Sequence, residues 1–144
     1  MKKTTEMVVH DFIRPAITIK KETEIGEALN LMRDRGVEFL SVVDSDHRLI
    51  GCVNEASFMR LIKQTPSAMS DPVWHDSIDP ETAKLSVEKI MTTNISTVNP
   101  EQSIDRTFKI MDSVGYKLLH VIDSDGKLLG VVTIREIFHK MLGA

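Results

Sequence analysis

Cysteine occurs once in the 144 residues, at Cys52, which excludes an internal disulfide and leaves no neighbouring thiol from which to build a zinc site. Cys52 lies inside an apolar strand pattern, so its expected role is packing. No apolar run reaches the roughly 18 residues of a membrane span, and Met1-Lys2-Lys3-Thr4-Thr5-Glu6 lacks the apolar stretch of a signal peptide. Excess positive charge is missing too. Lys and Arg number 18 against 21 Asp and Glu, a formal charge of -3, and the basic residues are scattered, which argues against nucleic acid as a partner. His10, His47, His75, His120 and His139 include no pair at zinc-like spacing. Asp44 with Asp46 and Asp123 with Asp125 lack the further oxygen ligands of a calcium loop. There is no nucleophile-elbow pattern for a serine or cysteine hydrolase. What remains is an ordinary globular composition, 42% hydrophobic and 27% charged, the size of one domain. It predicts a cytoplasmic, non-enzymatic protein with no metal and no membrane or nucleic-acid partner.

What is present is a duplication. Val42-Val43-Asp44-Ser45-Asp46-His47-Arg48-Leu49-Ile50-Gly51-Cys52-Val53 returns 79 positions later as Val121-Ile122-Asp123-Ser124-Asp125-Gly126-Lys127-Leu128-Leu129-Gly130-Val131-Val132. The same offset aligns Met32 with Met111 and Gly36 with Gly115, and residues 8–62 align with 87–141 without a gap. Two similar units with apolar faces can bury those faces against each other and form matched clefts along the joint.

Residues 24–35 place Ile25, Ala28, Leu29, Leu31 and Met32 at helical spacing, with Thr23 available as N-cap and Gly36 as stop. Residues 39–43 and 48–53 predict a hairpin about an Asp-rich turn, and residues 55–64 a second helix ended by Thr65-Pro66. With a short strand at 17–19, the order is β-α-β-β-α. The second copy repeats it with strands at 96–98, 118–122 and 127–132 and helices at 103–114 and 134–141. Its turn, Asp123-Ser124-Asp125-Gly126, is the stronger hairpin signal, because glycine tolerates positive φ. The expected division is repeat 1 at 8–64, a connector at 65–86 and repeat 2 at 87–142. Asp79-Pro80-Glu81 has an N-cap followed by proline at the first helical position, which predicts a helix from Pro80 toward Ile90.

The β-α-β-β-α repeat, its strand ending in Asp, and Gly130-Val131-Val132-Thr133-Ile134-Arg135-Glu136, a Gly-x-x-Thr-x-x-acid run, resemble the cystathionine-beta-synthase (CBS) domain in tandem. Lys89-Ile90-Met91-Thr92, Thr18-Ile19 and Thr97-Val98 are similar to further features of that family. The resemblance spans about residues 8–141. It implies an α+β fold in which two repeats pack sheet to sheet with pseudo-twofold symmetry. Its clefts would bind an adenine-containing regulatory ligand, AMP, ADP, ATP or S-adenosylmethionine, with no cofactor required.

Carried over by position, the resemblance implies two clefts. One combines Ala16, Ile17, Val37, Glu38 and Phe39 with Thr133, Arg135 and Glu136. The other combines Ile95, Ser96, Tyr116, Lys117 and Leu118 with Asn54 and Ser57. A carboxylate can accept hydrogen bonds from both ribose hydroxyls, helix N-terminal amides can meet sugar or phosphate, and Arg or Lys can offset phosphate charge. The sequence departs from the family pattern in both. Glu136 stands where Asp is usual, Glu38 would repel phosphate, and Asn54 and Ser57 replace the Thr and the ribose carboxylate. Ser41 and His120 stand where proline is common.

The bland readings stand beside these. Tyr116 could stack on a base or simply pack at a helix-strand junction. Trp74 could anchor a partner or pack within the connector, and His120 could face a cleft or be a strand histidine with its hydrogen bonds met. The expected function is a regulatory module signalling through conformation or oligomer geometry, as a homodimer or through an effector protein in trans. The apolar stripes of the helices at 55–64 and 134–141 are the candidate dimer surfaces. The alternative is an interaction module with vestigial clefts.

Overall fold

The computed structural model describes residues 3, 6–63, 80–115 and 117–143. It is an α+β structure with two three-stranded sheets. The strands are β1 Thr18–Ile19, β2 Phe39–Val43, β3 Leu49–Asn54, β4 Thr97–Val98, β5 Leu118–Ile122 and β6 Leu128–Thr133. The helices are α1 Ile25–Arg35, α2 Glu55–Lys63, α3 Pro80–Ala83, α4 Ile104–Val114 and α5 Ile134–Met141. The chain divides into two compact units that do not follow the order of the repeats. The first comprises Ile17–Ser45 and Ile50–Asn94; the second comprises Met1–Ala16, Asp46–Leu49 and Ile95–Ala144.

In the first unit β1 runs parallel to β2, with Thr18 opposite Ser41 and Ile19 opposite Val42. Ile25, Ala28 and Met32 supply the buried face of α1, packed with Leu40, Val42 and Val53 of the sheet. Val87 and Ile90, from the opening of repeat 2, complete that core. They are held by backbone pairing. Ile25 N–H donates to the Leu85 carbonyl at 2.9 Å, Val87 N–H to Thr23 at 2.8 Å, and Cys52 and Thr92 exchange bonds of 2.9 and 2.8 Å. Arg60 of α2 adds a clamp: its guanidinium donates to the carbonyls of Ile90 and Met91 and to the Thr92 hydroxyl.

The second unit repeats the arrangement. β4 runs parallel to β5, with Thr97 opposite His120, and β5 pairs antiparallel with β6, with Leu118 opposite Thr133 and His120 opposite Val131. Its core of Ile104, Met111, Leu119, Val121, Val132 and Ile137 is completed by Val9 and Phe12, from the opening of repeat 1. Ile104 N–H donates to the Met7 carbonyl, and Arg14 and Val131 exchange two bonds of 2.9 Å. Each core therefore borrows two large side chains from the opening of the other repeat. Burying Val9 and Phe12 alone contributes up to about 3–6 kcal/mol.

The tip of the first hairpin also belongs to the second unit. Leu49 N–H donates to the Gly126 carbonyl at 3.1 Å and Leu128 N–H to that of His47 at 2.9 Å. Gly126 turns at φ 82, and His47, its counterpart 79 positions earlier, is the non-glycine residue found at positive φ, 64.

Two local expectations are corrected. Thr23 is not the N-cap of α1: Glu24 holds that position without a side-chain cap, and the Thr23 hydroxyl accepts from Lys20 N–H at 3.1 Å. The Leu85 carbonyl instead satisfies the first amide of the helix, so a tertiary acceptor does the work of a cap. The helix from Pro80 ends at Ala83 rather than near Ile90. Lys84 and Leu85 make tight three-residue bonds, Ser86 extends to bridge Glu24, and a short 3-10 turn covers Val87–Lys89. Pairing with α1's entry requires extended backbone there, which a continuous helix would deny. Trp74, Pro66 and Pro72 lie outside the described residues.

Candidate functional site

The helix starts that follow β3 and β6 carry the chemistry, and the two have diverged. In the second unit β6 ends at Thr133, extended at φ -123 and ψ 151, and its hydroxyl accepts from Glu136 N–H at 3.1 Å. This occupies one first-turn amide of α5 at the positive end of the helix. Arg135 is exposed and Glu136 half-buried. Neither side chain makes a hydrogen bond or ion pair among the described residues. Lys117 is exposed, and its carbonyl accepts from Ile134 N–H at 3.1 Å. With Leu118 opposite Thr133, the unit thus brings Lys117 and Leu118, assigned by sequence to one cleft, beside Thr133, Arg135 and Glu136, assigned to the other. A carboxylate and two cations borne by one strand-helix junction, at the positive end of a helix, are residue types suited to hydroxyls and to an anionic group.

The corresponding junction in the first unit is closed on itself. Asn54 Oδ1 accepts from Ser57 N–H at 3.2 Å, and the Ser57 hydroxyl accepts from Asn54 N–H at 3.0 Å. This reciprocal box engages the Asn54 Oδ1 and the Ser57 hydroxyl. Ser57 is fully buried. Asn54 and Ser57 are brought together, but as a cap.

Other candidates take separate places. Ala16, half-buried, belongs to the second unit, two residues beyond Arg14, which pairs with Val131. Ile95 and Ser96, also half-buried there, lead into β4. Ile17, Val37, Glu38 and Phe39 belong to the first unit. The Ile17 carbonyl accepts from Ser41 N–H, Val37 N–H returns to Met32 at the end of α1, Glu38 is exposed, and Phe39 opens β2. Tyr116 lies outside the described residues.

His120 sits in the middle of β5, 2% exposed, and burial lowers its pKa to about 4, so it is neutral at pH 7. Cys52 is buried, which raises its thiol to about 11 and makes it unreactive. Among the described residues no three His, Cys, Asp or Glu side chains gather as metal ligands, and no helix is long and apolar enough to cross a membrane.

One recess was not anticipated. It lies in the second unit where β4 and β5 end, bordered by Asn99, Glu101 and Asp123, with a volume of about 640 Å³. The signal for it is a substitution between the repeats, Lys20 in one and Asn99 in the other.

The model of the CBS domain matches residues 9–64 and 87–143. The chain is 30% identical over 125 residues to a homoserine O-acetyltransferase of Methanohalobium evestigatum, covering 87% of this chain and 22% of that one. It is 29% identical over 140 residues to an inosine-5'-monophosphate dehydrogenase of Korarchaeum cryptofilum, covering 97% and 25%. The chain thus spans about a quarter of the length of these curated relatives. Among solved structures, CBSX2 in complex with AMP superposes with a TM-score of 0.76 at 24% identity, covering 95% of this chain and 97% of that one. The CBS domain pair of protein MJ0100, in complex with 5'-methylthioadenosine and S-adenosyl-L-methionine, superposes with a TM-score of 0.71 at 22% identity, with the same coverage.

Proposed function

This chain belongs to the CBS domain family, and we propose on that premise that it is a non-enzymatic regulatory module for an adenine-containing ligand, AMP, ADP, ATP or S-adenosylmethionine. The contacts are assigned to Thr133, Arg135 and Glu136, with Ala16 of the same unit. One observation carries this choice. Among the described residues the Arg135 and Glu136 side chains have no protein partner at the start of α5, whereas Asn54 Oδ1 and the Ser57 hydroxyl bond each other's backbone amides. AMP in CBSX2 and the sulfonium and thioether nucleosides in MJ0100 support the ligand class. Glu136 takes the ribose hydroxyls, and Arg135 offsets phosphate where the ligand has one.

Ligand acts by population shift, favouring the arrangement it binds more tightly. The readout is assigned to a homodimer or to an effector protein in trans. Met59 of α2 and Phe138 of α5, 79 positions apart, are 51% and 49% exposed and supply the apolar surface for association.

Isothermal calorimetry and thermal shift with AMP, ADP, ATP and S-adenosylmethionine test the reading. Glu136→Ala should weaken binding about tenfold or more, the effect of removing a charged hydrogen-bond acceptor. Ser57→Ala should leave affinity unchanged. If none of these ligands raises the melting temperature at millimolar concentration, the sensory reading fails and the vestigial-cleft interaction module takes its place.

A further inference from the structure

The duplication provides an internal control for the recess at the ends of β4 and β5. In the first unit the counterpart position carries a cation: exposed Lys20, whose Nζ donates to the Asp44 carbonyl at 2.9 Å. The 79-residue offset carries Lys20 to Asn99, Lys21 to Pro100, Glu22 to Glu101 and Asp44 to Asp123. Both cations are lost in the second copy, and both acids are kept. Asn99 is too short to do what Lys20 does, and its Oδ1 turns back to accept from Glu101 N–H at 3.0 Å.

What opens is a recess of about 640 Å³ with Val98, Ile110 and Ile122 among its walls, Glu101 and Asp123 at its rim and no Lys or Arg lining it. Asp123 is fixed in place by Asp125 and Lys127 N–H groups bonding to Oδ1 at 2.8 and 3.0 Å. We infer that this recess binds a small primary alkylamine, its ammonium taking the position that Lys20 Nζ takes in the sister repeat and its hydrocarbon body lying on the apolar wall. The volume is that of a small-molecule site, and its two charged lining residues, Glu101 and Asp123, are both acidic. The site is remote in sequence from Glu136 and does not depend on nucleotide.

The test is amide chemical-shift titration of the full chain, without nucleotide, using n-butylammonium chloride, which is a lysine side chain without its backbone. The expected result is saturable shifts at Asn99, Glu101 and Ser124 in the millimolar range, absent with n-butanol and with potassium chloride. Asn99→Lys restores the internal ammonium and should weaken butylammonium binding about tenfold or more while raising the melting temperature. Glu101→Gln, which leaves the backbone pairing untouched, should weaken binding severalfold. Glu136→Ala should leave it unchanged, which separates this site from the nucleotide reading. Equal shifts with n-butanol, no saturation, or unaltered binding in both Asn99→Lys and Glu101→Gln would overturn the inference.

Discussion

Gly130→Ala should be among the most damaging single-methyl additions in this chain. Gly130 adopts φ +147, and a Cβ there would fall against the Arg14 carbonyl oxygen, far inside contact distance, and 2.6 Å from Ile13 Cγ2. Relief requires the crossing segment to move, which breaks the two 2.9 Å bonds between Arg14 and Val131. Those are worth about 1 kcal/mol each, and forcing an extra carbon into a packed site costs about 1–3 kcal/mol. The lower entropy of the unfolded alanine chain returns about 0.4–1 kcal/mol. The net is a loss of about 2–5 kcal/mol, or roughly 6–20 °C in melting temperature at about 3–4 °C per kcal/mol for a chain of this size. Gly115→Ala is the control, since Gly115 has φ +73 but nothing within 4 Å of its added Cβ. It carries only backbone strain, about 1–2 kcal/mol before the entropic return. Calorimetric unfolding of the two variants isolates the crossing. Equal melting temperatures would refute the claim that Gly130 exists to let residues 13 and 14 pass.

Three further outcomes follow from the same structure. His120, depressed to about 4 by burial, binds protons more readily unfolded, so its contribution is present above about pH 6.5 and is lost as pH falls toward 4; the loss is about 2–3 kcal/mol. Urea unfolding across that window should show a steeper fall for the parent chain than for His120→Gln; parallel curves would contradict it. Arg60→Met keeps the apolar stem but removes the donors to Ile90, Met91 and Thr92 and should cost about 2–3 kcal/mol, with amide exchange accelerated first at Thr92. His47→Gly removes the αL cost at φ 64 and should raise stability by up to about 1 kcal/mol; a loss in thermal unfolding would show that the imidazole contributes more than the backbone strain it imposes.

Much of this fold is legible because its determinants are local. Short, near-continuous apolar runs define β2 and β5, and Gly36, placed from sequence as the stop of α1, ends it in left-handed conformation, as its counterpart Gly115 ends α4. Ser103 caps α4 by accepting from Arg106 N–H. Thr23 misleads for a non-local reason: a Leu85 carbonyl 60 positions away meets the helix donor instead. The exchange of opening segments is likewise invisible to periodicity, because Val8 pairs with Ser103 and Arg14 with Val131. At the candidate site, Thr133, Arg135 and Glu136 are proposed from the family resemblance, position by position. The reciprocal capping of Asn54 and Ser57 was encoded in their three-residue spacing, yet only the hydrogen bonds show them spent on each other. The Lys20 to Asn99 change was visible in the alignment, but its meaning needed the position of an ammonium group.

The borrowed segments make the two units inseparable by any single cut. Cleavage within 64–79 yields an amino-terminal fragment that supplies Val9 and Phe12 to one core and nearly all of the other's sheet, and a carboxyl-terminal fragment that supplies Val87 and Ile90 in return. Neither fragment holds a finished core, so the nicked chain persists as one particle until it is unfolded.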